Sequence, residues 1–202
     1  MRVRPAVLGL AVVAGSLATS VMGVAAAQSA NIVKNGSFED LGGRWVNTRC
    51  NYMAVSAGST AIADWTVPRT NNGELAWGRA TCDHYTAAKG AFFVDLTGFG
   101  ADATNGALAQ RLTTRGKGHY KLSIDVCTCN TGGVTVMVGK KTLSLSPGQP
   151  FAVAGTSWEP LTGTFKGDPR RTKPKLRIMN ATPGAQIVFI DNVVIKRQWR
   201  RR

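Results

Sequence analysis

Apolar residues along this chain come in short runs, many of them alternating with polar ones. No segment sustains the three-to-four-residue apolar spacing of an amphipathic helix. In residues 120–126, Tyr120, Leu122, Ile124 and Val126 fall on one side, with Lys121, Ser123 and Asp125 on the other. That period of two is the mark of a half-buried strand. AFFVDL (residues 91–96) and QIVFIDNVVI (residues 186–195) are aromatic or β-branched runs of strand length. Comparable runs at 52–55, 74–77, 106–113, 134–138, 142–145, 151–154, 158–165 and 176–180 are separated by Gly, Pro and polar residues. The pattern predicts an all-β protein, a single β-sandwich of about ten short strands.

The two ends of that pattern frame it. Residues 31–40, NIVKNGSFED, combine an apolar strand-like start (Ile32, Val33), an Asn35-Gly36 turn, a Phe38 expected to be buried and the acidic step Glu39-Asp40. First and last strands of sandwiches often lie side by side, so residues 186–195 are the expected partner, and Glu39 would then approach Asp191. Two carboxylates brought together need a cation or a proton between them. Calcium held by Glu39 and Asp191 with carbonyls of the 41–44 loop is one expectation; ordinary hydrogen bonding to backbone is the other.

The start of the chain changes the domain picture. Arg2 and Arg4, an apolar run over residues 6–24 and the Ala25-Ala26-Ala27 step have the form of a secretory signal peptide. The expected organisation is a signal peptide at 1–27, a β-sandwich at 28–195 and a basic tail, KRQWRRR, at 196–202. The expected location is extracellular. No other apolar stretch approaches the ~20 residues of a spanning helix.

Four cysteines, Cys50, Cys82, Cys127 and Cys129, follow the leader, and an even number in an exported chain favours disulfides. Cys127 and Cys129 lie too close along one strand end to close a ring together, so they are expected to pair with Cys50 and Cys82, in either order. A zinc site is disfavoured by the lack of C-x-x-C and by having only two histidines. The net charge of +14 suits association with polyanions, or solubility alone. Its densest parts are the loop carrying Arg170, Arg171, Lys173 and Lys175 and the tail with Lys196, Arg197, Arg200, Arg201 and Arg202.

Catalytic constellations are lacking. No G-x-S-x-G elbow occurs, and no pair of acids is selected by spacing as a glycosidase would require, so the expectation is a non-enzyme. Binding fits the residues better. Residues 78–90 form a long polar segment containing Asp83, His84 and Tyr85, and with Trp77 and Trp158 they supply rings and hydrogen-bonding groups for a carbohydrate. Trp45 and Trp65 are assigned to packing.

The segments NIVKNGSFED, SAGSTAIADWTV, FFVDLTG, GALAQRLTT, GHYKLSIDV and FIDNVVI occur in an order that resembles the secreted DUF642 / choice-of-anchor C family. The resemblance implies a jelly-roll-like, galactose-binding-like sandwich that binds cell-wall or other extracellular polysaccharide without catalysis. It also implies a structural calcium at Glu39 and Asp191. Two features depart from it: the chain ends in KRQWRRR rather than a sorting anchor, and residues 70–90 are longer than the family pattern. The combined expectation is a secreted, non-catalytic binder of polysaccharide, possibly acidic. Its alternatives are a polyanion or surface binder acting through the basic loop and tail, with nucleic acid disfavoured, and an unrecognised glycan-active enzyme.

Overall fold

Two antiparallel sheets pack face to face in the computed structural model, which describes residues 29–70, 74–81, 83–98, 106–127, 132–181 and 187–198. The strands of the larger sheet are β1 (Tyr52–Val55), β2 (Leu75–Arg79), β3 (Phe92–Asp95), β5 (His119–Cys127), β8 (Leu145–Pro147), β9 (Phe151–Val153), β10 (Thr156–Lys166) and β12 (Phe189–Gln198). They lie in the order β1-β2-β3-β12-β5-β10-β8, with β9 also paired to β10. The smaller sheet is β4 (Ala107–Arg111), β6 (Val134–Val138), β7 (Lys141–Thr142) and β11 (Lys175–Asn180), in the order β4-β11-β6-β7. The all-β sandwich expected from alternation is the fold observed. The signal-peptide residues lie outside the described residues, as do Arg200, Arg201 and Arg202.

The main core fills the space between the sheets. Leu122, Ile124, Ile190 and Ile195 reach in from the larger sheet to meet Leu108, Val136, Leu176 and Ile178 of the smaller one. Alternation places them there, since their strand neighbours Lys121, Arg177 and Val194 point outward and are not buried. A second, smaller cluster covers the opposite face of the larger sheet, where Tyr52, Ala76, Phe93, Cys127, Trp158 and Phe189 lie beneath the chain at Tyr85, Ala87 and Ala88. β3 is therefore buried on both faces, which explains its uninterrupted apolar run.

The chain ends do lie side by side, though not as two strands. Residue 31 makes a single bridge to Lys196, and Ile32 donates its N–H to the Ile195 carbonyl at 2.9 Å. The chain then turns, with Asn35 at φ 43° and Phe38 at φ 60°, and this drops the Phe38 ring fully into the core against Trp65. Gly36 touches the last strand directly: its carbonyl accepts the Val193 N–H at 2.7 Å, and a Cβ there would sit 2.0 Å from the Val193 oxygen. The tail boundary also moves. β12 runs on to Gln198, so Lys196 and Arg197 pair with Lys121 and Tyr120 of β5 instead of opening a free terminus.

Candidate functional site

A cleft of about 400 Å³ opens on the outer face of the larger sheet. Its floor is built by the outward-facing positions of three neighbouring strands: Ala76 of β2, Asp95 of β3 and Phe189 of β12. Its walls are Arg49, Cys50 and Tyr52 on one side and Asp83 and Tyr85 on the other, with Thr97, Gly98 and Ile187 at the end. Rings are held edge to face: Tyr85 against Phe189 at 4.8 Å and Tyr52 against Phe93 at 5.9 Å. The cleft thus offers apolar ring surface beside carboxylates, a guanidinium and hydroxyls, the mixture that small polar ligands need.

The electrostatics follow from burial. Asp95 is 6 % exposed, and its Oδ1 accepts the N–H and the hydroxyl of Thr97. Desolvation pushes its carboxyl up to about 7, although those bonds and a further one from Gly98 favour the charged form. The Tyr52 phenol is pushed above its ordinary value, first by burial and then by the charges of Asp95 and Asp83, against a hydrogen bond with Thr81. Both groups therefore hold their protons to higher pH than a free carboxyl or phenol, while Asp83 is exposed.

Of the residues selected from sequence, Asp83 and Tyr85 line this cleft, and three others do not. Trp77 is fully buried on the inner side of β2, with its ring 5.7 Å from Phe92. It offers no face to a ligand, because the β2 pleat turns Ala76 toward the cleft and Trp77 away from it. Trp158 is also fully buried; it lies beneath the loop, 6.2 Å from Phe93, and its Nε1 donates to the Thr86 carbonyl. It supports the wall instead of forming it. His84 is exposed at φ 66°, where its N–H closes a turn onto the Thr81 carbonyl, and it is not among the cleft residues. Arg49, Tyr52, Asp95 and Thr97 were missed from sequence. The signal for Asp95 lay in AFFVDL, an otherwise apolar strand with a single acid.

Glu39 and Asp191 converge on one short segment of chain. Glu39 Oε1 accepts the N–H groups of Ala91 and Phe92, both at 2.8 Å, and Asp191 Oδ2 accepts that of Lys89 at 2.9 Å. Gly90 lies between them at φ +79°, where a Cβ would come within 2.4 Å of Glu39 Oε1. Asp191 is fully buried at a bulge in β12, opposite Asp125 of β5, whose Oδ2 accepts the Asn192 amide at 3.0 Å. Burial pushes Asp191 up to about 8, with the charges of Asp125 and Glu39 adding to it and the N–H bonds from Lys89 and Asn192 opposing. Among the described residues no group of three or more His, Cys, Asp or Glu side chains is placed to hold a metal ion. Both Asp191 oxygens and Glu39 Oε1 are already engaged by backbone N–H groups. Burial and the neighbouring carboxylates thus raise the proton affinity of Asp191.

Cys50 lines the cleft and Cys127 is buried in the smaller cluster; neither is a free thiol. Cys82 and Cys129 lie outside the described residues. Arg170, Arg171, Lys173 and Lys175 are on the far side of the molecule, against the smaller sheet.

No protein-family model matches the chain, and no curated protein matches it. Two solved structures are similar in part. One is the enzymatically active domain of bacteriophage CBA120 tailspike protein 4, 11 % identical over 83 % of this chain with a TM-score of 0.45. This chain spans only 21 % of that one. The other is TmCBM27, a carbohydrate-binding module that recognises mannan, 11 % identical over 73 % of this chain and 99 % of that one, with a TM-score of 0.40. Among the described residues no helix is long and apolar enough to cross a membrane.

Proposed function

We propose that this chain is a secreted, non-catalytic module that binds extracellular polysaccharide through the cleft between Tyr52 and Tyr85. The observation that carries the reading is the convergence there of the half-buried Tyr85 ring with the exposed Arg49 and Asp83, over a floor that includes Phe189 and Asp95. A sugar ring presents a C–H face that packs on aromatics and hydroxyls that pair with carboxyl and guanidinium groups. The leader-like residues 1–27 support export. The order of DUF642-like segments supports the choice of polysaccharide as ligand. The same reading pairs Cys127 and Cys129 with Cys50 and Cys82, in either order, tying the cleft walls to the sheet.

Asp95 has its own structural explanation, since it closes the turn at the end of β3 through Thr97. It is therefore read as a structural part of the cleft floor and not as a general acid. Retention on a panel of insoluble polysaccharides tests the function. Wild-type protein is expected to be retained at ~0.5 M salt, where purely electrostatic association fails. Tyr85→Ala and Asp83→Ala are each expected to weaken retention by roughly 1–3 kcal/mol, the range of interface anchors. Release of soluble sugar by the wild type would overturn the non-catalytic assignment.

A further inference from the structure

The side of the molecule remote from the cleft carries a continuous cationic track. Three shallow grooves of about 600, 530 and 520 Å³ run into one another along the smaller sheet. The first is walled by Lys140, Lys141, Lys166 and Arg171, and it shares Lys140 and Arg171 with the second. The second adds Arg170, and shares Arg111, Lys173 and Lys175 with the third, which ends at Lys34. Sequence alone pointed only to the 170–175 loop. It is the pairing of β6 with β7 and β11 that brings Lys140 and Lys141 beside it.

Acids do little to neutralise this track. Asp168 and Asp64 are the acids among its lining residues. Asp168 is turned back on its own loop, with Oδ1 accepting the Arg170 N–H at 2.9 Å. Asp64 lies 3.6 Å from Lys34 at the far end. The backbone beneath the charges is fixed: Thr114 donates to the Thr172 carbonyl at 2.8 Å, Leu112 to Pro174 at 3.0 Å and Gly139 to Lys175 at 2.8 Å. Like charges held along a concave path focus a positive field, and a long anion follows it. Phe165 is the aromatic residue of the track, and it is buried in a stack on Tyr120 at 5.1 Å. No ring face is offered there to a base or a pyranose, so recognition rests on charge.

We propose that this track binds a linear polyol-phosphate polymer, a flexible phosphodiester chain with no ring to stack. The proposal stands independently of the cleft. The test is calorimetric titration of the full chain with lipid-free poly(glycerol phosphate) at ~20 and ~300 mM NaCl. Each Lys or Arg that meets a phosphate contributes about −0.7 to the slope of log affinity against log salt for a flexible single chain. The triple change Lys140→Gln, Lys141→Gln, Arg171→Gln is therefore expected to weaken binding at low salt by about tenfold or more and to make the slope shallower by roughly 2. All three side chains are exposed, so the melting temperature is expected to stay at the parent value. Should it fall, Lys173→Gln with Lys175→Gln supplies the same readout. Tyr85→Ala, which touches only the cleft, is expected to leave polymer binding unchanged. Parent-level binding by both multiple variants overturns the proposal. So does tighter binding of duplex DNA or of polygalacturonate at matched charge.

Discussion

Trp77 lies between Ala76 and Gly78 on β2, and the pleat sends its ring to the inside of the sandwich while its neighbours face outward. Its aromatic character made it a candidate for stacking, but the one-residue parity of a strand decides the matter. Trp77→Ala is expected to cost about 3–5 kcal/mol by leaving a cavity beside Phe92. Tyr85→Ala, at a half-buried wall position, is expected to cost far less stability while reducing glycan retention. Urea melts of the two variants, read beside retention, separate a core ring from a ligand-facing ring; equal stability losses would break that division. Gly36 makes a second single-residue argument. A Cβ there would lie 2.0 Å from the Val193 carbonyl oxygen, so the turn that lowers Phe38 into the core would have to move off the last strand. Gly36→Ala is expected to destabilise by several kcal/mol, on the order of other severe backbone clashes. A thermal melt within about 1 kcal/mol of the parent would show that the turn yields freely.

At the scale of elements, the bulge in β12 joins three strands electrostatically. It brings Asp191 opposite Asp125, while the N–H of Lys89 caps the same carboxylate from the segment leading into β3. Asp191 is raised from 3.8 to about 8, so the folded chain holds a proton that the unfolded chain releases over that interval. Asp95 is raised to about 7 and acts in the same direction. The native state then binds more protons than the unfolded state, and stability falls as pH rises through this window. The slope is up to about 1.4 kcal/mol per pH unit for each group fully within its window. Melts between pH 4 and pH 8 in chelator are expected to show that decline, and Asp191→Asn is expected to flatten it. A calcium ion held by Glu39 and Asp191 would raise the melting temperature over that in chelator, so equal melts at pH 8 would count against that site. The parts of this device were visible in sequence as separate acids at the two ends of the chain. The approach of Glu39 to Asp191 was expected, but its site on residues 89–92 was not, because that depends on a bulge and on Gly90, neither of which alternation encodes. Strand cores at β3, β5, β6 and β11 were readable from alternation and β-branched runs. The opening strand at Ile32 and Val33 was not one, since the positive φ of Asn35 turns the chain after a single bridge.

Across the whole molecule, the larger sheet separates two layers with different jobs. Between the sheets lies the main core; outside lies a thin layer of loops on Phe93, Trp158 and Phe189, and the cleft belongs to that layer. The cleft was only half legible in sequence because its floor uses alternate residues of strands distant along the chain, Ala76, Asp95 and Phe189, which no local pattern joins. A thin outer layer buries little area of its own, and the cysteines lie where it meets the sheet, Cys50 on the cleft wall and Cys127 at the end of β5. Bridges from Cys127 and Cys129 to Cys50 and Cys82 would each close a loop of tens of residues, worth about 3–4 kcal/mol in the chain-entropy picture. Non-reducing peptide mapping is expected to find Cys127 and Cys129 each linked to Cys50 or Cys82. Because the bridges act on the outer layer, reduction and alkylation are expected to abolish glycan retention while the far-UV CD of the two sheets persists and the melting temperature falls. A bridge between Cys127 and Cys129 would remove the basis of that expectation. Full retention by the reduced protein would show that Trp158 and the ring contacts hold the cleft walls without covalent help.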